Sequence, residues 1–236
     1  MAERLDKFIS EQTGVTRSEA RTIAASGRVS VNGASVRGAA LKISPETDKI
    51  ALDGKDICYR KYIYLMLNKP AGVVCSTKDG DSPTVLSLVP EEYMRKGLFP
   101  AGRLDKDTEG FVLLTDDGEL SHRLLSPKKH VPKLYYARLE KPYKSSYEDV
   151  FASGMRIDGG DVCLPAKIVA GKNKNECFIT LNEGMFHQVK RMVEAVGNKV
   201  VYLRRERIGG LNLDHNLPIG ECREISTEEL ALLCTI

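Results

Sequence analysis

The segment from Gly102 to Gly118 constrains this chain more than any other part of it. Phe111 to Leu114 is an unbroken apolar run bounded by turn residues, the pattern of a core strand. Thr115-Asp116-Asp117-Gly118 closes the run with turn chemistry. The stretch before it carries Arg103, Asp105, Asp107 and Glu109. A rigid element therefore holds a loop with one arginine among three carboxylates. Loops held in this way often carry binding and catalytic groups. By residue type alone, the same loop is also compatible with a capped turn and ordinary surface ion pairs.

Residues 1–58 read as a separate module. Leu5, Phe8 and Ile9 share one face of a short helix that ends at Gly14. Thr16 or Ser18 caps a second helix, with Glu19 in its first turn and Ala20, Ile23 and Ala24 inward. Gly27 stops it. Val29-Ser30-Val31 then alternates into Asn32-Gly33, a hairpin signal, and Val36, Leu41, Ile43 and Ile50 continue a small sheet. Beyond a short link near Cys58-Tyr59-Arg60-Lys61, Tyr62 to Leu67 reads as a strand entering a turn at Asn68-Lys69-Pro70-Ala71-Gly72. From there to about Ile225 the chain reads as short strands joined by hairpins and loops, with two or three helices. The expected class is α+β, with a mixed, mainly antiparallel sheet in residues 60–236.

Several of these segments match known families. Arg4-Leu5-Asp6-Lys7-Phe8-Ile9, Ser18-x-Ala20-Arg21 and Gly27-Arg28-Val29-x-Val31-Asn32-Gly33 resemble the S4 RNA-binding domain. That likeness implies RNA binding through Arg4, Arg17, Arg21 and Arg28. Gly102-Arg103-Leu104-Asp105, with Thr108, Gly110 and the strand behind them, resembles the active-site segment of the RsuA-like pseudouridine synthases. Residues 62–77 are similar to the first catalytic motif of that family. Lys133 to Leu139 resembles the strand bearing its active-site tyrosine, by position Tyr135. Leu181 to Met192 resembles its third motif, where by position Lys190 pairs with the nucleophile. Met185 and Phe186 stand where an arginine and a tyrosine are expected.

The resemblance implies that Asp105 is the nucleophile, or a base, acting on the sugar or the uracil of a uridine. Lys190 favours its ionised form. The uridine must be flipped out of its stack, and Tyr135 then packs on the extruded base. Arg103 helps hold the backbone open, while His187, Gln188 and Arg191 contact RNA. Lys190 and Arg191 leave a helix about 100° apart, so only one of them faces Asp105. Uridine-to-pseudouridine conversion is an isomerisation, so no cofactor or metal is expected. The expected substrate is ribosomal RNA or a pre-ribosomal small-subunit particle, with 16S rRNA favoured by the short acidic tail. The enzyme is expected to act as a monomer in the cytoplasm. The alternatives are a non-catalytic RNA-binding ribosome assembly factor with the same fold and, from the first module alone, a ribosomal structural protein.

Charge and composition agree with an RNA-binding enzyme. Between His187 and Arg207 stand six lysines and arginines against two glutamates, although the formal net charge of the 236 residues is only +3. Arg123, Lys128, Lys129 and Lys133 form a second basic stretch, near His122 and His130. Clustered cations in a near-neutral chain suit a polyanion-binding face. None of the six cysteines forms a Cys-x-x-Cys pair, so zinc is not expected and thiols in a reducing cytosol are. No segment approaches the ~18 apolar residues of a membrane span, and the charged first residues do not read as a signal peptide.

Overall fold

The computed structural model describes residues 2–78, 80–126 and 129–235. The chain divides into two compact units. One runs to Ile63 and takes in Val89–Leu98; the other comprises Tyr64–Leu88 and the chain from Phe99 onward.

In the first unit, β1 (Glu3–Arg4) leads directly into α1 (Leu5–Thr13), followed by α2 (Arg17–Ala25). Strands β2 (Val29–Val31), β3 (Ala34–Val36), β4 (Lys42–Ile43), β5 (Ile50–Leu52) and β6 (Lys55–Asp56) complete it. β1 pairs with β4, and the other four form a sheet in the order β3-β2-β5-β6. Thr16, not Ser18, caps α2. Its hydroxyl accepts from the Glu19 amide at 3.2 Å, and the Glu19 carboxylate accepts from the Thr16 amide at 2.7 Å, a reciprocal capping box. Leu5, Phe8, Ile9, Ala20, Ala24, Val29, Ile43 and Ile50 form the core. The Val89–Leu98 excursion packs onto this unit at Gly14. A Cβ there would lie 2.9 Å from the Met94 carbonyl, on a backbone already at φ +76°.

The second unit is built on one nine-stranded sheet. Its strands are β7 (Tyr64–Lys69), β8 (Phe99–Ala101), β9 (Glu109–Thr115) and β10 (Lys133–Leu139), then β13 (Lys167–Ala170) to β17 (Cys222–Glu224). Between the last two named lie β14 (Glu176–Leu181), β15 (Val200–Ile208) and β16 (Leu211–Asn212), while β11 (Met155–Arg156) and β12 (Val162–Cys163) form a separate hairpin. The main path runs β13-β14-β10-β15-β9-β7-β17, with β8 paired to β9 and β16 to β15. Every pairing is antiparallel except β15 with β9. The helices are α3 (Gly118–Leu125), α4 (Ser146–Ala152), α5 (Gln188–Ala195) and α6 (Thr227–Leu232).

Phe111 to Leu114 have no exposed surface, so the apolar run on β9 is covered on both faces. Met66, Ala101, Phe111, Leu113, Leu120, Leu124, Ile208 and Leu211 form the main core beside it. The turn expected at Thr115–Gly118 also starts a helix: the Asp117 carboxylate accepts from the Leu120 amide at 2.9 Å and from the Tyr64 hydroxyl at 2.8 Å.

The parallel junction depends on one residue. Gly110 lies opposite Arg205, at φ +98°. A Cβ at Gly110 would sit 2.4 Å from the Arg205 carbonyl oxygen and 2.8 Å from its amide nitrogen, so only glycine lets β15 close onto β9. Gly110→Ala should therefore cost about 3 kcal/mol or more in urea unfolding, from backbone strain plus forced separation of the strands. Wild-type stability in that variant would contradict this account of the junction.

Candidate active site

Asp105 lies in the loop between β8 and β9. That loop is shaped from beneath by Lys69, a side chain with no exposed surface. The Lys69 ammonium donates to the carbonyls of Pro70 at 2.9 Å, Thr108 at 2.8 Å and Lys106 at 3.3 Å. Burial pulls this amine below the ordinary lysine range, against the opposing pull of Cys75 and nearby carboxylates. The Gly72 amide donates to the Lys106 carbonyl at 2.7 Å, and the Leu104 amide donates to Cys75 Sγ at 3.3 Å. Sequence reading placed Lys69 in a turn and gave it no role. The only signal was its position at the end of an apolar strand, directly before a proline.

The Asp105 side chain is 27% exposed, and Lys190 Nζ lies 3.0 Å from its Oδ2. Lys190 also contacts Asp107 Oδ1 at 2.7 Å. Burial lowers the Lys190 pKa, but hydrogen bonds to Asp107 and Asp105 outweigh it, and the ammonium stays above its ordinary range. His187 Nε2 lies 3.5 Å from the other Asp105 oxygen. His187 has a left-handed backbone at φ +48° and directly precedes α5, whose first turns carry Lys190 toward the loop. Tyr135 on β10 lines the same cavity, as do Arg103, Leu181, Lys133 and Arg205. The cavity measures about 130 Å³, against the ~10–15 Å³ of such space that one water needs. Tyr136, on the opposite face of β10, packs instead against Phe178 and Tyr202, with ring centroids 5.6 and 6.0 Å away.

Asp105, Tyr135, Lys190, Arg103 and His187 thus come together around one cavity. Two further residues expected to contact RNA, Gln188, which also lines the cavity, and Arg191, have partners within the chain. Gln188 is buried, accepting from the Met185 amide at 2.9 Å and donating to Glu183 at 2.6 Å, so it braces the loop before α5. Arg191 has only 14% of its side chain exposed. It is clamped by Asp158 at 2.6 Å and Asp161 at 2.8 Å, and donates to the Phe186 carbonyl at 3.2 Å. The basic stretch around these residues is accordingly no uniform phosphate-binding face. Arg205 is buried, and Arg204 is paired with Glu206 at 2.6 Å. In the second stretch Lys133 is buried, and Lys128 lies outside the described residues.

In the first unit, Arg4, Arg17 and Arg21 converge on Asp6, whose carboxylate has no exposed surface. The contacts are 3.0, 3.2 and 3.0 Å. Arg4 is the main reason that the Asp6 carboxyl stays well below the usual range, and burial opposes it. One anion fixes three half-exposed guanidinium groups, leaving surplus positive charge on the surface. Arg28 pairs with Asp53. Among the described residues, no group of three or more His, Cys, Asp or Glu could hold a metal, and no helix is long and apolar enough to cross a membrane.

The site thus sets a lysine-paired loop aspartate beside a tyrosine-lined cavity on a mixed sheet, and comparison with known proteins gives the class. A family model described as RNA pseudouridylate synthase matches residues 63–195, and the S4 domain matches residues 3–48. The chain belongs to the RNA pseudouridylate synthase family and is an isomerase. It is 47% identical, over 97% of its length and 98% of the relative's, to "Ribosomal small subunit pseudouridine synthase A" of Escherichia coli strain K12. It is 45% identical, over 98% of both chains, to "Uncharacterized RNA pseudouridine synthase YtzG" of Bacillus subtilis strain 168. A crystal structure of a pseudouridylate synthase superposes with a TM-score of 0.68 at 41% identity, covering 98% of this chain and 99% of the other.

The two neighbouring cations of α5 should separate by function. Lys190→Met keeps the aliphatic stem, removes the charge beside Asp105, and should slow turnover by about 10²-fold, as loss of one preorganised electrostatic contact does. Arg191→Met should instead loosen the loops at Asp158 and Phe186, lowering the melting temperature more than the turnover of the folded enzyme. Equal turnover defects in folded forms of both variants would contradict the division.

Proposed function

We propose that this chain converts a particular uridine of ribosomal RNA, in the small subunit (16S), to pseudouridine. The observation that carries the proposal is the Asp105 carboxylate, 3.0 Å from the Lys190 ammonium beside a cavity lined by Tyr135. The names and near-complete coverage of its relatives favour the small-subunit substrate. The reaction breaks the C1′–N1 bond of uridine, turns the uracil and rejoins it through C5. The proton leaves C5 and N1 gains one, so atoms and charge balance without a redox partner.

Each residue has a part in this reading. Asp105 acts as nucleophile or base, and the Lys190 ammonium, 3.0 Å away, holds it in place. The uridine enters by flipping out of its stack, because its reacting atoms are covered by neighbouring bases while stacked. Tyr135 packs against the extruded uracil as it turns. Arg103, exposed at the cavity mouth, steadies the opened backbone. Arg4, Arg17, Arg21 and Arg28 grip phosphates in the manner of positioning contacts, which supply affinity without reading sequence. Action as a monomer in the cytoplasm, where ribosomal RNA would be met, belongs to the same reading. The presence together of Asp105, Lys190 and Tyr135 favours chemistry over a purely architectural part in ribosome assembly.

Carbodiimide mapping of rRNA tests the substrate. A strain lacking the protein should lose one small-subunit pseudouridine and regain it when the wild-type chain is restored. An unchanged set of small-subunit pseudouridines in that strain would contradict the proposal.

A further inference from the structure

The cavity beside Asp105 is also lined by two cations with no carboxylate partner among the described residues. Lys133 and Tyr135 are two positions apart on β10, so both side chains point to one face. Arg205 on β15 stands opposite Tyr135 in the β10–β15 register. All three line the cavity. Lys133 is 8% exposed and Arg205 2%. The Lys133 ammonium donates to the Val131 carbonyl at 2.9 Å. Arg205 Nε donates to the Phe111 carbonyl at 2.8 Å, while its Nη2 is buried without a hydrogen-bond partner.

This arrangement is costly for the free protein. Burying an unpaired cation is unfavourable, and two near each other repel. Burial first, and then the charge of Arg205, push the Lys133 amine down to about 8. A Met at position 133 would avoid that cost, so packing alone does not account for the lysine. Elsewhere in the chain the arginines on Asp6, Asp158 and Glu206 have carboxylates to meet them. Lys133 and Arg205 instead share the cavity with the Tyr135 ring.

We propose that Lys133 and Arg205 receive the oxygen-bearing edge of the flipped uracil and stabilise the negative charge that it carries while detached from the ribose. The inference rests on the isomerase reading above. When the C1′–N1 bond breaks, its electron pair leaves with the base, and the charge spreads over N1 and the two carbonyl oxygens. Fixed cations facing that charge lower the barrier because they need no reorganisation at the moment of reaction. The charge is spent when C5 bonds to C1′, the C5 proton departs and N1 takes up a proton. Tyr135 supplies the plane on which the base turns, and the cations hold its oxygens as it does so.

Full-length wild-type, Lys133→Met and Lys133→Arg proteins would be compared on an in vitro transcript of small-subunit rRNA. Pseudouridine formation under single-turnover conditions, RNA affinity and thermal melting are the readouts. Lys133→Met should react about 10²-fold more slowly at saturating enzyme, the usual scale for one such contact. Its RNA affinity should be unchanged and its melting temperature no lower than wild type, and Lys133→Arg should recover most of the rate. A Lys133→Met protein as fast as wild type would overturn the inference. So would one that binds RNA weakly but reacts normally when saturated, since the cations would then hold a backbone phosphate. A lower melting temperature with no rescue by arginine would overturn it in favour of a structural role. If the wild-type chain itself forms no pseudouridine, the isomerase reading falls first, and that outcome is separable from all the others.

Discussion

A single buried ammonium sets the shape of the active-site loop. Lys69 ends β7, has no exposed surface, and gathers the carbonyls of Pro70, Lys106 and Thr108 around its nitrogen. These oxygens belong to two different loops, so the amine ties the turn after β7 to the segment carrying Asp105. Carbonyls brought together without a donor would be both unsatisfied and mutually repulsive, and a neutral side chain at position 69 would leave them so. Through Lys106 and Thr108, which lie just after Asp105 in the chain, this contact helps set where Asp105 stands relative to Lys190. Gly110 makes the second half of the constraint by letting β15 close on β9 directly behind the loop.

Charge in this protein is organised by carboxylates rather than spread as a basic film. Asp6 gathers three arginines, Asp158 and Asp161 hold Arg191, and Glu206 holds Arg204. Fixing a guanidinium in advance lowers the conformational entropy lost when it meets a phosphate. At the cavity the logic changes. Lys190 is shared between Asp105 and Asp107, and Lys133 and Arg205 have no acidic partner among the described residues. One cavity therefore holds both a lysine-paired carboxylate and two cations without an acidic partner, with Tyr135 opposite Arg205 in the strand register.

Much of the fold was legible in local sequence because local physics decides it. The apolar run at Phe111–Leu114 is a central strand, Thr16 and Glu19 form a capping box, and Asn32-Gly33 makes a hairpin turn with both residues at positive φ. The strand expected at Tyr62–Leu67 begins two residues later, at Tyr64, where its pairing with β9 starts. Asp105, Tyr135 and Lys190 stand out by motif, and the geometry brings them to one cavity. What escaped was set by distant partners. Lys69, Lys133 and Arg205 look like ordinary cations in a row of letters, and only the packing of separate strands buries them. The intramolecular partners of Arg191 and Gln188 have no local signal either, since they lie elsewhere in the chain or around a tight loop. The excursion of Val89–Leu98 into the first unit has no local signal, since its contacts are with residues some eighty positions earlier.

The most direct measurement concerns Asp105. Asn fills nearly the same space but can serve neither as nucleophile nor as base. Purified wild-type and Asp105→Asn proteins would be assayed for pseudouridine formation in small-subunit rRNA, with RNA affinity and thermal melting measured in parallel. The account predicts conversion by the wild type only, with both proteins folded and binding RNA alike. Appreciable pseudouridine formation by Asp105→Asn would contradict it.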